Sequence, residues 1–198
     1  MTMHLLPKRA PARVLGPIVG ALARSGVTPN QISVVGFLGN VGAAALIANG
    51  LLLPAGILVL FASALDMLDG GLARATGRAT PFGGVLDSTL DRLSEATVLF
   101  GVLWYEIDLG NREEALLCFA AVVGSLMVSY IRARVEAAGG ALTDGLFTRS
   151  ERVVVTGVAL IFGWLRPALW LLAVLTLATA AQRLYLAADA VREANEER

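Results

Sequence analysis

The stretch DMLDGGLARATGRATPFGGVLDSTLD, residues 66–91, decides how this chain folds. It opens with Asp66 and Asp69, three apart, and closes with Asp87 and Asp91, four apart. At helical pitch either spacing puts both carboxylates on one face of a helix. A polar connector, 74–80, and Pro81 separate the pairs, and the flanking segments 52–73 and 83–105 are apolar and long enough to cross a bilayer. Two consecutive antiparallel helices result, with each pair close to the connecting end, so the four carboxylates converge at about the same depth. An Asp at the centre of a lone helix in lipid costs about 2.5–3.5 kcal/mol on insertion scales. A salt bridge to Arg74, Arg78 or Arg92 would account for any one of them, but four at these spacings describe a site.

Four carboxylates packed together repel, so they must be protonated or neutralised by cations. Oxygen donors without His or Cys suit Mg²⁺ or Mn²⁺, and two such ions sharing carboxylates form the clamp used in phosphoryl chemistry. Gly70 and Gly71 beside Asp69, and Gly83 and Gly84 one turn before Asp87, remove side chains where backbones or a ligand must come close. Arg74, one turn beyond Gly70, suits pairing with a diphosphate.

The rest of the chain fits this setting. Of its 198 residues 56% are hydrophobic and 16% charged, and the mean hydropathy is +0.69; an average soluble domain has about 25% charged residues. One all-α membrane domain is expected over 1–198. Residues 1–29 read as an amphipathic juxtamembrane helix, with Lys8, Arg9, Arg13 and Arg24 opposed to Val14, Leu15, Ile18, Val19 and Leu22. Residues 30–198 read as six transmembrane helices, at 31–48, 52–73, 83–105, 115–131, 153–165 and 167–188, with a charged loop at 132–152 and a turn at Arg166 and Pro167. With the N-terminus inside, 14 of the 16 basic residues fall on or near the cytoplasmic side and only Arg112 and Arg166 outside. That asymmetry predicts a multi-pass cell-membrane protein with both termini and the carboxylate site cytoplasmic. Equal numbers of acids and bases, 16 each, give no sign of a nucleic-acid partner. Cys118 lies in an apolar run and reads as a small buried hydrophobe. His4, the only histidine, lies in a polar N-terminal segment without the apolar core of a secretory signal, so a His-based metal site or triad is not expected.

From Asp66 to Asp91 the pattern reads Asp66, two residues, Asp69, Gly70, two residues, Ala73, Arg74, eight residues, Gly83, three residues, Asp87, three residues, Asp91. It resembles, at every fixed position, the signature of the CDP-alcohol phosphotransferase family. The six-span pattern, the N-terminal helix and Thr28-Pro29-Asn30 before the first span extend the resemblance over nearly the whole chain. The resemblance implies a transfer of the phosphatidyl group from CDP-diacylglycerol to an alcohol, with release of CMP. It implies that Asp66, Asp69, Asp87 and Asp91 hold two ions and that Asp91 is also the general base. It further implies a CDP pocket formed by Asp66, Asp69, Gly70, Ala73, Arg74 and Gly83, and a homodimer.

The alcohol is set elsewhere. A phosphorylated acceptor in a partly dehydrated cleft needs charge-assisted donors, and Arg132, Arg134, Arg149, Arg152 and Arg183 are available. The first three also obey the positive-inside rule, whereas Arg183 is embedded in an apolar helix. The stretches Ser129-Tyr130-Ile131-Arg132-Ala133-Arg134 with Glu136, Arg149-Ser150-Glu151-Arg152, and Gln182-Arg183-Leu184 are similar to bacterial phosphatidylinositol-phosphate synthases. In those enzymes the residue corresponding to Arg132 is often Lys. Inositol phosphate is the expected acceptor, with Arg132, Arg134, Arg152 and Arg183 binding its phosphate; glycerol 3-phosphate is the alternative. A cation transporter built on intramembrane carboxylates is a different class, and would not need Arg74 and the paired glycines at fixed spacing.

Overall fold

Capping residues start the helices. In the computed structural model, which describes residues 12–142 and 145–196, Thr28 begins a capping box: its backbone N–H donates to Gln31 Oε1 at 2.9 Å and its hydroxyl accepts from Gln31 N–H. Thr80 accepts from Gly83 N–H at 3.0 Å ahead of Pro81. Thr148 donates its backbone N–H and its hydroxyl to Glu151 Oε2 at 2.7 and 2.8 Å. The described residues form seven helices: α1 (Ala12–Arg24), α2 (Pro29–Ala48), α3 (Leu52–Thr76), α4 (Pro81–Asp108), α5 (Arg112–Ala137), α6 (Arg149–Phe162) and α7 (Leu165–Glu196). No strand is present among them.

Four of these, α2, α3, α5 and α7, are long and apolar enough to cross a membrane. The other two expected spans differ in kind. Helix α4 has the length, 28 residues, but carries Asp87, Asp91, Arg92, Glu95, Glu106 and Asp108, and α6 has only 14 residues. The large apolar side chains left outside, among them Leu38, Phe61, Phe100, Leu116 and Phe119, match a lipid-facing exterior. Inside, Ile47, Val59, Val102, Cys118, Leu160 and Leu169 form the main core.

Two boundaries move from their sequence positions. The turn expected at Arg166 and Pro167 lies at Gly163, whose φ of +70° is open to glycine at little cost. Pro167 instead sits in the first turn of α7, where its missing N–H forfeits no helical bond. The charged loop contracts to 138–148, because α5 runs on to Ala137 and α6 begins at Arg149. In the N-terminal segment, Val19 and Leu22 of α1 pack with Ile32, Leu68 and Leu72. His4, Lys8, Arg9 and Arg198, and the side chains of Arg13, Val14, Leu15 and Ile18, lie outside the described residues.

The carboxylate helices do not pack face to face as their adjacency in sequence suggests. Helices α3 and α4 touch only sparingly; α2 packs closely against both.

Candidate active site

Helix α2 therefore shapes the carboxylate cluster. Its Ser33, buried, donates its hydroxyl to Asp69 Oδ2 at 2.6 Å. One turn on, Gly36 makes room for Asp66: a Cβ there would collide with Asp66 Oδ1 and lie 3.2 Å from the Ala62 carbonyl. Gly36→Ala is expected to displace the Asp66 carboxylate and lower turnover by about a hundredfold, the cost of misplacing a catalytic group by about 1 Å. Turnover of the purified variant, measured beside its melting temperature, checks this.

Across the gap, Asp87 of α4 lines the same opening as Asp69. Asp66 and Asp91 are joined by Arg149 from the first turn of α6, whose two terminal nitrogens lie 3.0 Å from Asp66 Oδ2 and 2.9 Å from Asp91 Oδ1. The expected convergence of four carboxylates thus occurs, with a guanidinium bound between two of them. As they stand, no three His, Cys, Asp or Glu side chains among the described residues form a group that would hold a metal ion.

Two clefts open on the cluster. The first, about 200 Å³, is lined by Asp69, Gly70, Ala73, Arg74 and Gly83, five of the six residues expected of a CDP pocket. The sixth, Asp66, lines neither cleft and lies beneath Arg149. Arg74 lies back along Gly70, where a Cβ would stand 3.4 Å from its guanidinium. Asn30, Arg78 and Thr80 also line this cleft, and sequence reasoning had given them no role there. Arg78, four residues beyond Arg74, was the available signal.

The second cleft, about 550 Å³, is lined by Asp91, Arg132, Arg149, Arg152 and Arg183, and it shares Gly84 and Asp87 with the first. Its arginines are held differently. Arg152 is buried and makes a two-pronged pair with Glu95, Nε to Oε1 at 2.6 Å and a terminal nitrogen to Oε2 at 2.9 Å, with further bonds to Ser125 Oγ and the Phe147 carbonyl. Most of its donors are thereby committed to the protein. Arg183, also buried, donates to the Val128 carbonyl at 2.8 Å. Arg132 is exposed and pairs with Glu136 at 2.7 Å.

Arg134 lines neither cleft and is exposed, in contrast to the acceptor role expected for it. Two residues along a helix is more than half a turn, so Arg132 and Arg134 point to different sides. Glu95 is the main residue the sequence reading missed, although it continues the four-residue spacing of Asp87 and Asp91.

Comparison with known proteins places the chain in a family. Residues 26–187 match the family model described as CDP-alcohol phosphatidyltransferase. The chain is 43% identical over 167 residues to archaetidylinositol phosphate synthase of Pyrococcus horikoshii, covering 83% of this chain and 85% of that one. It is similar to the crystal structure of Mycobacterium tuberculosis phosphatidylinositol phosphate synthase with CDP-DAG bound, with a TM-score of 0.83, 34% identity and coverage of 89% and 94% of the two chains. The same mycobacterial enzyme solved in complex with manganese and citrate matches with a TM-score of 0.79 and 35% identity, over 87% of this chain and 88% of that one. With the family model spanning most of its length and the signature residues gathered at one site, this chain belongs to the CDP-alcohol phosphatidyltransferase family.

Proposed function

We propose that the chain transfers the phosphatidyl group of CDP-diacylglycerol to inositol phosphate, releasing CMP. The observation that carries this reading is the meeting of two clefts at Gly84 and Asp87, one bordered by Arg74 and Arg78, the other by Asp91, Arg132 and Arg183. Donor diphosphate and acceptor phosphate each find cations, and the acceptor hydroxyl finds a carboxylate where they join. The activities named for the relatives have inositol phosphate in common, while the lipid parts of their names differ.

Asp66, Asp69, Asp87 and Asp91, oxygen donors that already draw a guanidinium, would hold two Mg²⁺ or Mn²⁺ ions once that guanidinium gives way, and such ions would supply charge neutralisation at the diphosphate. Arg74 and Arg78 bind the diphosphate, while Gly70, Ala73 and Gly83 keep the first cleft open to the nucleotide. Asp91 accepts the proton of the acceptor hydroxyl. As that oxygen bonds to the phosphorus carrying diacylglycerol, the bond from this phosphorus to the bridging oxygen breaks and CMP leaves. Arg183 and Arg132 hold the acceptor phosphate, and Arg152 fixes the wall of its cleft through Glu95.

The reading includes one domain over 1–198, α1 lying on the membrane surface, six spans formed by α2–α7, and both termini and the site on the cytoplasmic side, as the distribution of basic residues favours. Pairing of two copies belongs to it as well.

The test is CMP release by purified protein with CDP-diacylglycerol and Mg²⁺, comparing inositol phosphate, glycerol 3-phosphate, free inositol and no acceptor. Stimulation by inositol phosphate alone is expected; stimulation by glycerol 3-phosphate instead would overturn the acceptor. In the same assay Arg183→Ala is expected to raise the acceptor KM about tenfold or more with little change in the donor KM. Arg134→Ala should leave both near wild type.

A further inference from the structure

We propose that Arg149 couples the two sites, with its guanidinium either bridging Asp66 and Asp91 or turned to an anion in the acceptor cleft, so that cation and acceptor phosphate each favour binding of the other. The proposal rests on reading Asp66 and Asp91 as cation ligands. Three observations support it.

The first is position. Arg149 places one terminal nitrogen on each of two carboxylates from different helices, at 3.0 and 2.9 Å, and also lines the second cleft beside Arg132 and Arg183. It can exchange partners by side-chain rotation while α6 stays in place. The guanidinium engages one oxygen of each carboxylate, and its positive charge opposes a cation bound to the same pair.

The second is how loosely it is held. Arg152, one turn along the same helix, has its guanidinium engaged by Glu95, Ser125 and Phe147 and is 3% exposed. Arg149 keeps 28% exposure, and its Nε, although buried, has no hydrogen-bond partner. Arg149 also lines a cavity of about 20 Å³ with Asn40 and Ser94, whose hydroxyl is likewise unpartnered. Such a space suits one water molecule and cannot lock the guanidinium. The carboxylates are its principal anchor, and a cation that takes them releases it.

The third is where it is released. Arg149 occupies the first turn of α6, where the partial positive charge of the helix end disfavours a cation and favours an anion. An acceptor phosphate therefore offers the freed guanidinium the partner its position lacks. Because equilibrium coupling is reciprocal, an anion in the cleft must tighten cation binding by the same factor as the cation tightens anion binding.

The test measures Mn²⁺ affinity by electron paramagnetic resonance on purified protein, with and without inositol 1-phosphate at matched free Mn²⁺, in wild type, Arg149→Gln, Arg149→Lys and Asp87→Asn. Expected are Mn²⁺ binding to Arg149→Gln about tenfold or more tighter than to wild type, and tightening by inositol 1-phosphate of about fivefold or more in wild type that is largely lost in Arg149→Gln. Arg149→Lys keeps the charge but not the planar fork that spans two carboxylates, so it too should bind Mn²⁺ more tightly than wild type if the bridge opposes the cation. Should Arg149→Gln not fold, the Lys variant decides. Unchanged or weaker Mn²⁺ binding in the Arg149 variants, or full coupling retained without the guanidinium, overturns the proposal. Wild-type Mn²⁺ binding that Asp87→Asn leaves intact would overturn the carboxylate-cluster reading itself.

Discussion

Replacing Asp91 with Asn is expected to lower CMP release by about a thousandfold or more while the protein still folds. Asn preserves shape but cannot accept a proton, and general-base catalysis alone contributes about 10²–10⁴-fold. Asp91 also stands beside the other carboxylates and in the acceptor cleft, so the substitution removes negative charge where cations are expected to gather. Folding should survive because Asp91 retains some exposure, 22%, and its ion pair with Arg149 is one of two that this arginine makes. Turnover of purified protein, set beside its melting curve, decides: near-normal activity would remove Asp91 from the chemistry.

The second large effect concerns stability. Glu95 and Arg152 form an almost fully buried pair, with side-chain exposures of 10% and 3%. Removing one member of such a pair strands the other charge and typically costs about 3–5 kcal/mol. Glu95→Ala and Arg152→Ala should each melt well below wild type in the same detergent. A double replacement by apolar residues of similar volume, Glu95→Leu with Arg152→Met, should recover much of that loss. Because the pair lines the second cleft, the one proposed for the acceptor, the double variant should still show a raised acceptor KM. Wild-type melting of both single variants would mean that the pair contributes little to holding α4 against α6.

The contrast between Asp91 and Glu95 shows what the sequence could disclose. The aspartates were legible because their meaning lies in short spacings within two helices, and helical pitch alone puts Asp66 with Asp69 and Asp87 with Asp91. The partners of Arg149 and Arg152 are 83 and 57 residues away in sequence, and no local rule relates residues so distant. Apart from Arg183, set off by its apolar helix, the five arginines are not told apart by sequence. In the fold one is locked, one bridges carboxylates, one donates to a backbone carbonyl, one lies on the rim and Arg134 faces away. The last could have been read from its two-residue offset from Arg132. Helix ends followed the same division. Thr28 with Pro29 marks the start of α2, whereas Thr80 and Pro81, which read as connector, cap and begin α4 two residues ahead of the expected span. The start of α6 at Arg149 is concealed because charged residues form its first turn, and a run of charge between apolar segments reads as a loop. Ser33 had a visible cue, a hydroxyl in an apolar span, but nothing in the sequence said that it would meet Asp69.

Helix α2 acts as a shim. Because α3 and α4 scarcely touch each other while both pack on α2, the spacing of their carboxylates depends on the face that α2 presents to them. The gauge of the site therefore depends in part on residues that perform no chemistry, Ser33 and Gly36 among them. One added methyl on the inner face of α2, at Gly36, would meet Asp66 and alter the aperture while leaving the path of the chain as it was.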